Sequence, residues 1–129
     1  MQNSIFIPLS TPSQKNSKRI VGKRLISSKL TLDYKKNTFL LWNINREKFL
    51  KMLEGLDPPY HIGFYFIRKD KRKFDYVNIC QAPLDLMQEH GWLPDDCMTY
   101  VKPHFLGYEV SRENCGVQIT VLKNVTYEY

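Results

Sequence analysis

The chain has 129 residues, 43% of them hydrophobic and 25% charged, with a net charge of +6. That length and balance fit one globular domain, residues 1–129, whose core is large enough to fold without disulfide staples. No apolar run is long enough for a bilayer, the opening MQNSIFIPLS lacks the pattern of an export leader, and Cys80, Cys97 and Cys115 are too irregular for a disulfide framework, so a cytoplasmic protein is expected.

Ser4 to Leu9 alternates weakly and predicts a first strand, closed by Pro8 and Pro12. Ser10 to Arg24 is polar, basic and rich in turn formers, which predicts a loop or a pair of short extended pieces. Ser28 is placed to cap a helix whose spacing runs through Leu30, Tyr34 and Leu41, with Thr38 between them. Asn45 reads as a second cap. Phe49, Met52, Leu53 and Leu56 follow it at helical spacing, and Gly55 and Pro58-Pro59 end the pattern.

Tyr60 to Ile67 is the clearest strand. Tyr60, Ile62, Phe64 and Phe66 share one face and His61, Gly63, Tyr65 and Ile67 the other, so a central position is expected. Next comes the basic run RKDKRK, then a helix starting at Asp75 or Tyr76 and ending at Gly91. Val77, Cys80, Leu84 and Met87 are its expected buried stripe, with Asn78, Gln81, Asp85 and Gln88 beside it. Pro83 should kink it. GWLPDD turns the chain back, and Phe105 to Val110 and Val117 to Leu122 predict an antiparallel hairpin around SRENCG. The order of elements gives an α+β fold, a small mixed sheet with helices packed on it.

The positive charge favours a polyanionic partner, DNA or RNA. It is concentrated in two clusters. Lys15, Lys18, Arg19, Lys23, Arg24, Lys29, Lys35 and Lys36 stand against Asp33 alone, and Arg68, Lys69, Lys71, Arg72 and Lys73 follow later. His61, His90 and His104 have no zinc-ligand spacing. Two places put carboxylates next to turns: Asp75, and the pair Asp95-Asp96. Mg²⁺ takes one or two carboxylates plus phosphate oxygens and water, so such acids beside cations suit phosphodiester hydrolysis. Asp75 is equally suited to be a helix cap or a surface counter-charge, and Asp95-Asp96 after Pro94 also makes a common turn. A helix of about sixteen residues spans roughly 24 Å, so Asp75 and Asp96 meet only if the chain folds back or a symmetric partner reaches across.

KRKFDYVNICQAPLDLM, the later HGWLPDD and the opening IPLSTPSQKNS resemble the RusA family of Holliday junction endonucleases, over about Ile5 to Leu122. The resemblance implies a homodimer of α+β subunits, often prophage-encoded and active in DNA recombination and repair. Such enzymes cut four-way junctions symmetrically with Mg²⁺, or Mn²⁺, and need no small-molecule cofactor or membrane. It implies Asp75 and Asp96 as metal ligands, Asp95 as neighbour or substitute, and Asn78 as their positioning partner. Lys15, Lys18, Arg19, Lys23, Arg24, Arg72 and Lys73 are the cations assigned to DNA. Two positions depart from the family: Val77 replaces a second Asp, and Gln81 replaces a lysine. Asp85 or Asp95 is a candidate for the missing carboxylate, and Lys73 or Lys102 for the missing cation. Two readings therefore stand side by side, an active junction endonuclease and a dimer that binds branched DNA without cutting it. A small interaction protein, soluble through its charge, is the third.

Overall fold

The computed structural model describes residues 4–13, 18–21, 24–27, 29–94 and 99–123. Its first strand, β1, spans Ser4–Pro8, and β2 (Lys18–Val21) and β3 (Arg24–Ser27) form a separate antiparallel ribbon. Then come α1 (Lys29–Met52), β4 (Tyr60–Arg68), α2 (Tyr76–Glu89), β5 (Val101–Val110) and β6 (Gly116–Leu122).

Strand β4 is central, as its two-sided pattern predicts. Ile62, Phe64 and Phe66 alternate along it and are buried. Its neighbours are β6, antiparallel, and β5, parallel; β6 pairs in turn with β1, giving the order β1-β6-β4-β5. Ile5 and Ile7 from β1, Val117, Ile119 and Val121 from β6, and Val101 from β5 join the core that α1 and α2 complete. The result is an α+β fold, a four-stranded mixed sheet with two helices packed on it.

The expected hairpin of the last two strands does not form, because β4 lies between them. Parallel partners need a crossover, and α2 is that crossover from β4 to β5. The return from β5 to β6 passes the end of β4, where Ser111 N donates to Arg68 O at 2.8 Å. Strand β5 also begins earlier than its alternation suggests. A bulge leaves Leu106 as an extra residue between Phe105, opposite Phe64, and Gly107, opposite Tyr65. Gly107 has φ of +126°, a conformation that favours glycine.

Helix α1 is one helix of 24 residues where two were expected. Asn45 does not cap a new start; its amide donates to Leu41 O at 2.9 Å within the continuing helix. The buried face runs through Thr31, Tyr34, Thr38, Trp42, Phe49 and Met52. The threonines hide this face from a hydrophobicity pattern. Thr38 Oγ1 donates to Tyr34 O at 2.7 Å and accepts from Trp42 Nε1 at 2.9 Å, so its polarity is satisfied in place. Leu30, expected inside, is 61% exposed. Ser28 lies outside the described residues. None of the described helices is long and apolar enough to cross a membrane.

Helix α2 starts and ends close to the expected limits, with Asp75 as N-cap, His90 as C-cap and Gly91 at φ of +76°. Its buried side is centred on Ile79, Pro83 and Leu86. Of the expected stripe, Cys80, Leu84 and Met87 are buried, but Val77 falls roughly a third of a turn away and is 68% exposed. Beyond the helix, Trp92 turns into the core. Its Nε1 donates to Trp42 O at 2.8 Å, and its ring stacks on Phe49 with centroids 4.8 Å apart. This fastens the end of α2 to the middle of α1.

The sheet also pairs two histidines distant in sequence: His61 Nδ1 lies 2.8 Å from His104 Nε2 across β4 and β5. Burial, then His104 and Lys102, hold the His61 imidazole below its usual value of 6.5.

Two outcomes follow. Replacing Trp92 with Ala removes the stacking and the buried hydrogen bond and should cost about 3–5 kcal/mol, read as a lower urea midpoint. A depressed imidazole binds fewer protons in the folded than in the unfolded state, so stability should fall as pH drops through and below about 6.5. Urea midpoints at a series of pH values should show this slope, and His61→Asn should lessen it. Some slope should remain, because burial depresses His90 as well.

Candidate functional site

Arg68 ends β4, and residues 69–75 carry the chain to α2 along the second cationic cluster. The loop is held by its own charges. Asp70 Oδ1 accepts from Arg72 N at 3.0 Å, Asp70 Oδ2 lies 3.7 Å from Arg72 Nε, and Arg68 Nη1 donates to Arg72 O at 2.9 Å. The backbone hydrogen bond from Arg72, then the Arg72, Arg68 and Lys69 charges, outweigh burial and keep the Asp70 carboxyl below its usual range. Arg68 is committed to packing, with its guanidinium carbon 4.2 Å from the Phe74 ring centroid. Lys69, Lys71, Arg72 and Lys73 stay exposed.

An aromatic group borders these cations. Phe74 meets Tyr108 edge to face, centroids 4.8 Å apart and planes at 84°. Tyr76 meets Phe105 at 4.9 Å. A surface depression of about 490 Å³ lies between the loop and β5, lined by Asp70, Lys71, Arg72, Lys73, Phe74, Tyr108 and Val110. Tyr108 was not a sequence candidate. Its alternation is broken by the bulge, and only the parallel pairing of β4 with β5 carries it to the cationic loop.

Asp75 directly follows this loop and is exposed. It is extended, with φ −115° and ψ 131°, and its Oδ1 accepts from Val77 N at 2.9 Å. That bond settles one of its three possible roles: it is the helix cap. The cap engages Oδ1; Oδ2 makes no hydrogen bond among the described residues. Asn78, half-buried, follows within the first turn. The apolar side chain of Val77 offers no ligand oxygen. Asp85 is not a substitute beside Asp75: Gln81 Nε2 donates to its Oδ1 at 2.7 Å, and ten helical residues put it roughly 15 Å along the axis. Lys102 pairs in register with His61 near the start of β4, whereas the loop leaves its end, so Lys73 is the cation beside Asp75 and Lys102 is not.

Asp95, Asp96, Lys15 and Lys23 lie outside the described residues. Lys18 and Arg19 belong to β2 and Arg24 to β3, with Arg19 opposite Ile26 and Arg24 opposite Val21. The neighbours of the acidic pair are described. Leu93 N donates to Met87 O, and Tyr60 N donates to Tyr100 O at 2.8 Å. Leu93 therefore stands at the C-terminal end of α2, the opposite end from Asp75, and Tyr100 at the start of β4. Among the described residues, no group of three or more His, Cys, Asp or Glu is placed to hold a metal ion. Asp75 is then the one described carboxylate at the start of α2, and phosphate oxygens, water or further carboxylates would have to complete the shell of a divalent ion.

No protein-family model matches this chain, and no curated protein matches it.

The cap gives a clean check on stability. Asp75→Ala should lower the unfolding free energy by about 0.5–2 kcal/mol, while Asp75→Asn, also a good N-cap, should change it little, both read by urea denaturation.

Proposed function

We propose that this chain is a Mg²⁺-dependent endonuclease that cuts branched DNA, with the four-way junction as substrate, and that it acts as a homodimer. The observation that carries the reading is Asp75, an exposed carboxylate at the positive end of α2, directly after a loop whose Lys69, Lys71, Arg72 and Lys73 are exposed. Cations and a helix N-terminus draw a DNA phosphate to that spot. A carboxylate there would repel the phosphate unless a cation lay between them. The RusA resemblance of the same residues supports the reading.

Mg²⁺, or Mn²⁺ in its place, would supply polarisation of the phosphate and a more acidic water. Asp75 offers one oxygen to such an ion, with Asn78 beside it. The other carboxylates proposed are Asp95 and Asp96. Helix α2 has 14 residues, about 21 Å, and Asp95 and Asp96 follow Pro94 by only one and two steps of about 3.8 Å each. The described flank of the pair thus stands about a helix length from Asp75 of the same chain. We infer that the site takes Asp75 from one copy and the acidic pair from a second, related by a two-fold axis. That symmetry makes two sites, one for each of the opposed strands. Lys15, Lys18, Arg19, Lys23 and Arg24 extend the DNA contact in this proposal.

A second reading is a dimer that binds branched DNA without cutting it. Val77, exposed without a ligand oxygen, and Gln81, engaged with Asp85, favour it.

The deciding experiment incubates a synthetic four-way junction with Mg²⁺ or Mn²⁺. Wild type should cut it, and Asp75→Asn or Asp96→Asn should lower the rate by roughly 10²-fold or more. If the wild type binds the junction and leaves it intact, the second reading replaces the first. Mixing the two variants tests the shared site. A mixed dimer keeps one complete pair of acids and should nick a single strand; no recovery on mixing would place each site within one chain.

A further inference from the structure

We infer that the depression between the 70–73 loop and β5 seats one unpaired nucleotide of the DNA, its base stacked on Tyr108 and its phosphates held by Lys71 and Lys73. This rests on the DNA reading above and adds what the site selects.

The two walls of the depression differ in chemistry. One is cationic; the other is Tyr108, 53% exposed, and Val110, 40% exposed, two positions on along the same strand. Paired duplex DNA offers phosphates and base edges to a protein, while the faces of its bases are stacked on one another. An exposed aromatic ring beside lysines gains little from such a duplex. It gains much from an unstacked base, whose π-face is open and whose phosphate lies within reach of the cations. At about 490 Å³ the depression falls within the range of small-molecule clefts, large enough for a nucleotide.

The seat is also preorganised. Phe74 supports Tyr108 edge to face and is itself pinned by Arg68 at 4.2 Å. Asp70 is engaged with Arg72 and holds the loop in shape, so its charge is locally matched. Phe74 precedes Asp75 in the chain, so a nucleotide in this seat lies next to the proposed cutting position. Branch points are where base pairs open most readily. The seat would thus couple an opened base to the phosphate beside it.

The test uses the full chain and fluorescence anisotropy, with a four-way junction and a fully paired duplex of equal length. Tyr108→Ala should weaken junction binding by about 5- to 150-fold and leave duplex binding unchanged, and Tyr108→Phe should behave as wild type. In wild type, 5-iodouracil at the branch point should photo-crosslink to Tyr108. Junction affinity unaltered by Tyr108→Ala, an equal loss on junction and duplex, or a crosslink mapping elsewhere overturns the seat and leaves the DNA reading intact. Absence of salt-dependent binding to either DNA overturns both. A Tyr108-dependent preference for the junction without cleavage supports the seat and defeats only the nuclease reading.

Discussion

Ile62, Phe64 and Phe66 have to be kept from water, and the path of the chain around β4 follows from that. Each is worth roughly 1.5–3 kcal/mol when fully buried. They stand at alternate positions, so one face of one strand must be covered and both its edges paired. Helices α1 and α2 supply the cover, and β5 and β6 the edges. The contact of Trp92 with Phe49 and Trp42 closes this cover where α2 ends. It leaves the start of α2, with Asp75 and its loop, at the open end of β4.

That placement determines the chemistry available. The loop concentrates like charges, which repel one another and are tolerated because four of the cations remain in water. Arg68 escapes by lying on Phe74, and Asp70 offsets Arg72. Asp75 joins two demands at one atom group: the first turn of α2 needs an acceptor, and a divalent ion at a phosphate would need an anionic oxygen. A carboxylate has two oxygens, and the cap engages one of them. Stability and the proposed catalysis therefore separate under Asp75→Asn, which keeps an acceptor and loses the charge.

The crossover through α2 has a second effect. It makes β5 parallel to β4, so the later part of β5 ends beside the loop that leaves β4. Tyr108 and Val110 come to the cations by this route. The open end of β4 thus acquires an aromatic surface, a row of lysines and arginines, and a capping carboxylate from two separate stretches of chain, β5 and the segment from Arg68 to Asp75.

Much of this was legible in local pattern. The alternation of β4 gave its central place, Asp75 and Gly91 marked the two ends of α2, and the run from Arg68 to Lys73 marked the cationic loop. These depend on near neighbours and on backbone preferences, which a sequence states directly. Asn45 misled because a cap residue and an interior residue bonding to the preceding turn look alike until the helix on either side is seen. Thr31 and Thr38 concealed the buried face of α1 for a similar reason: their hydroxyls are acceptable inside only once a partner is placed. Which strands pair, and that Tyr108 meets the 70–73 loop while Asp85 and Lys102 stay away from Asp75, depended on long-range packing. Those relations are chosen by how the helices and edges of β4 can all be satisfied together, and no residue carries that choice in its own neighbourhood.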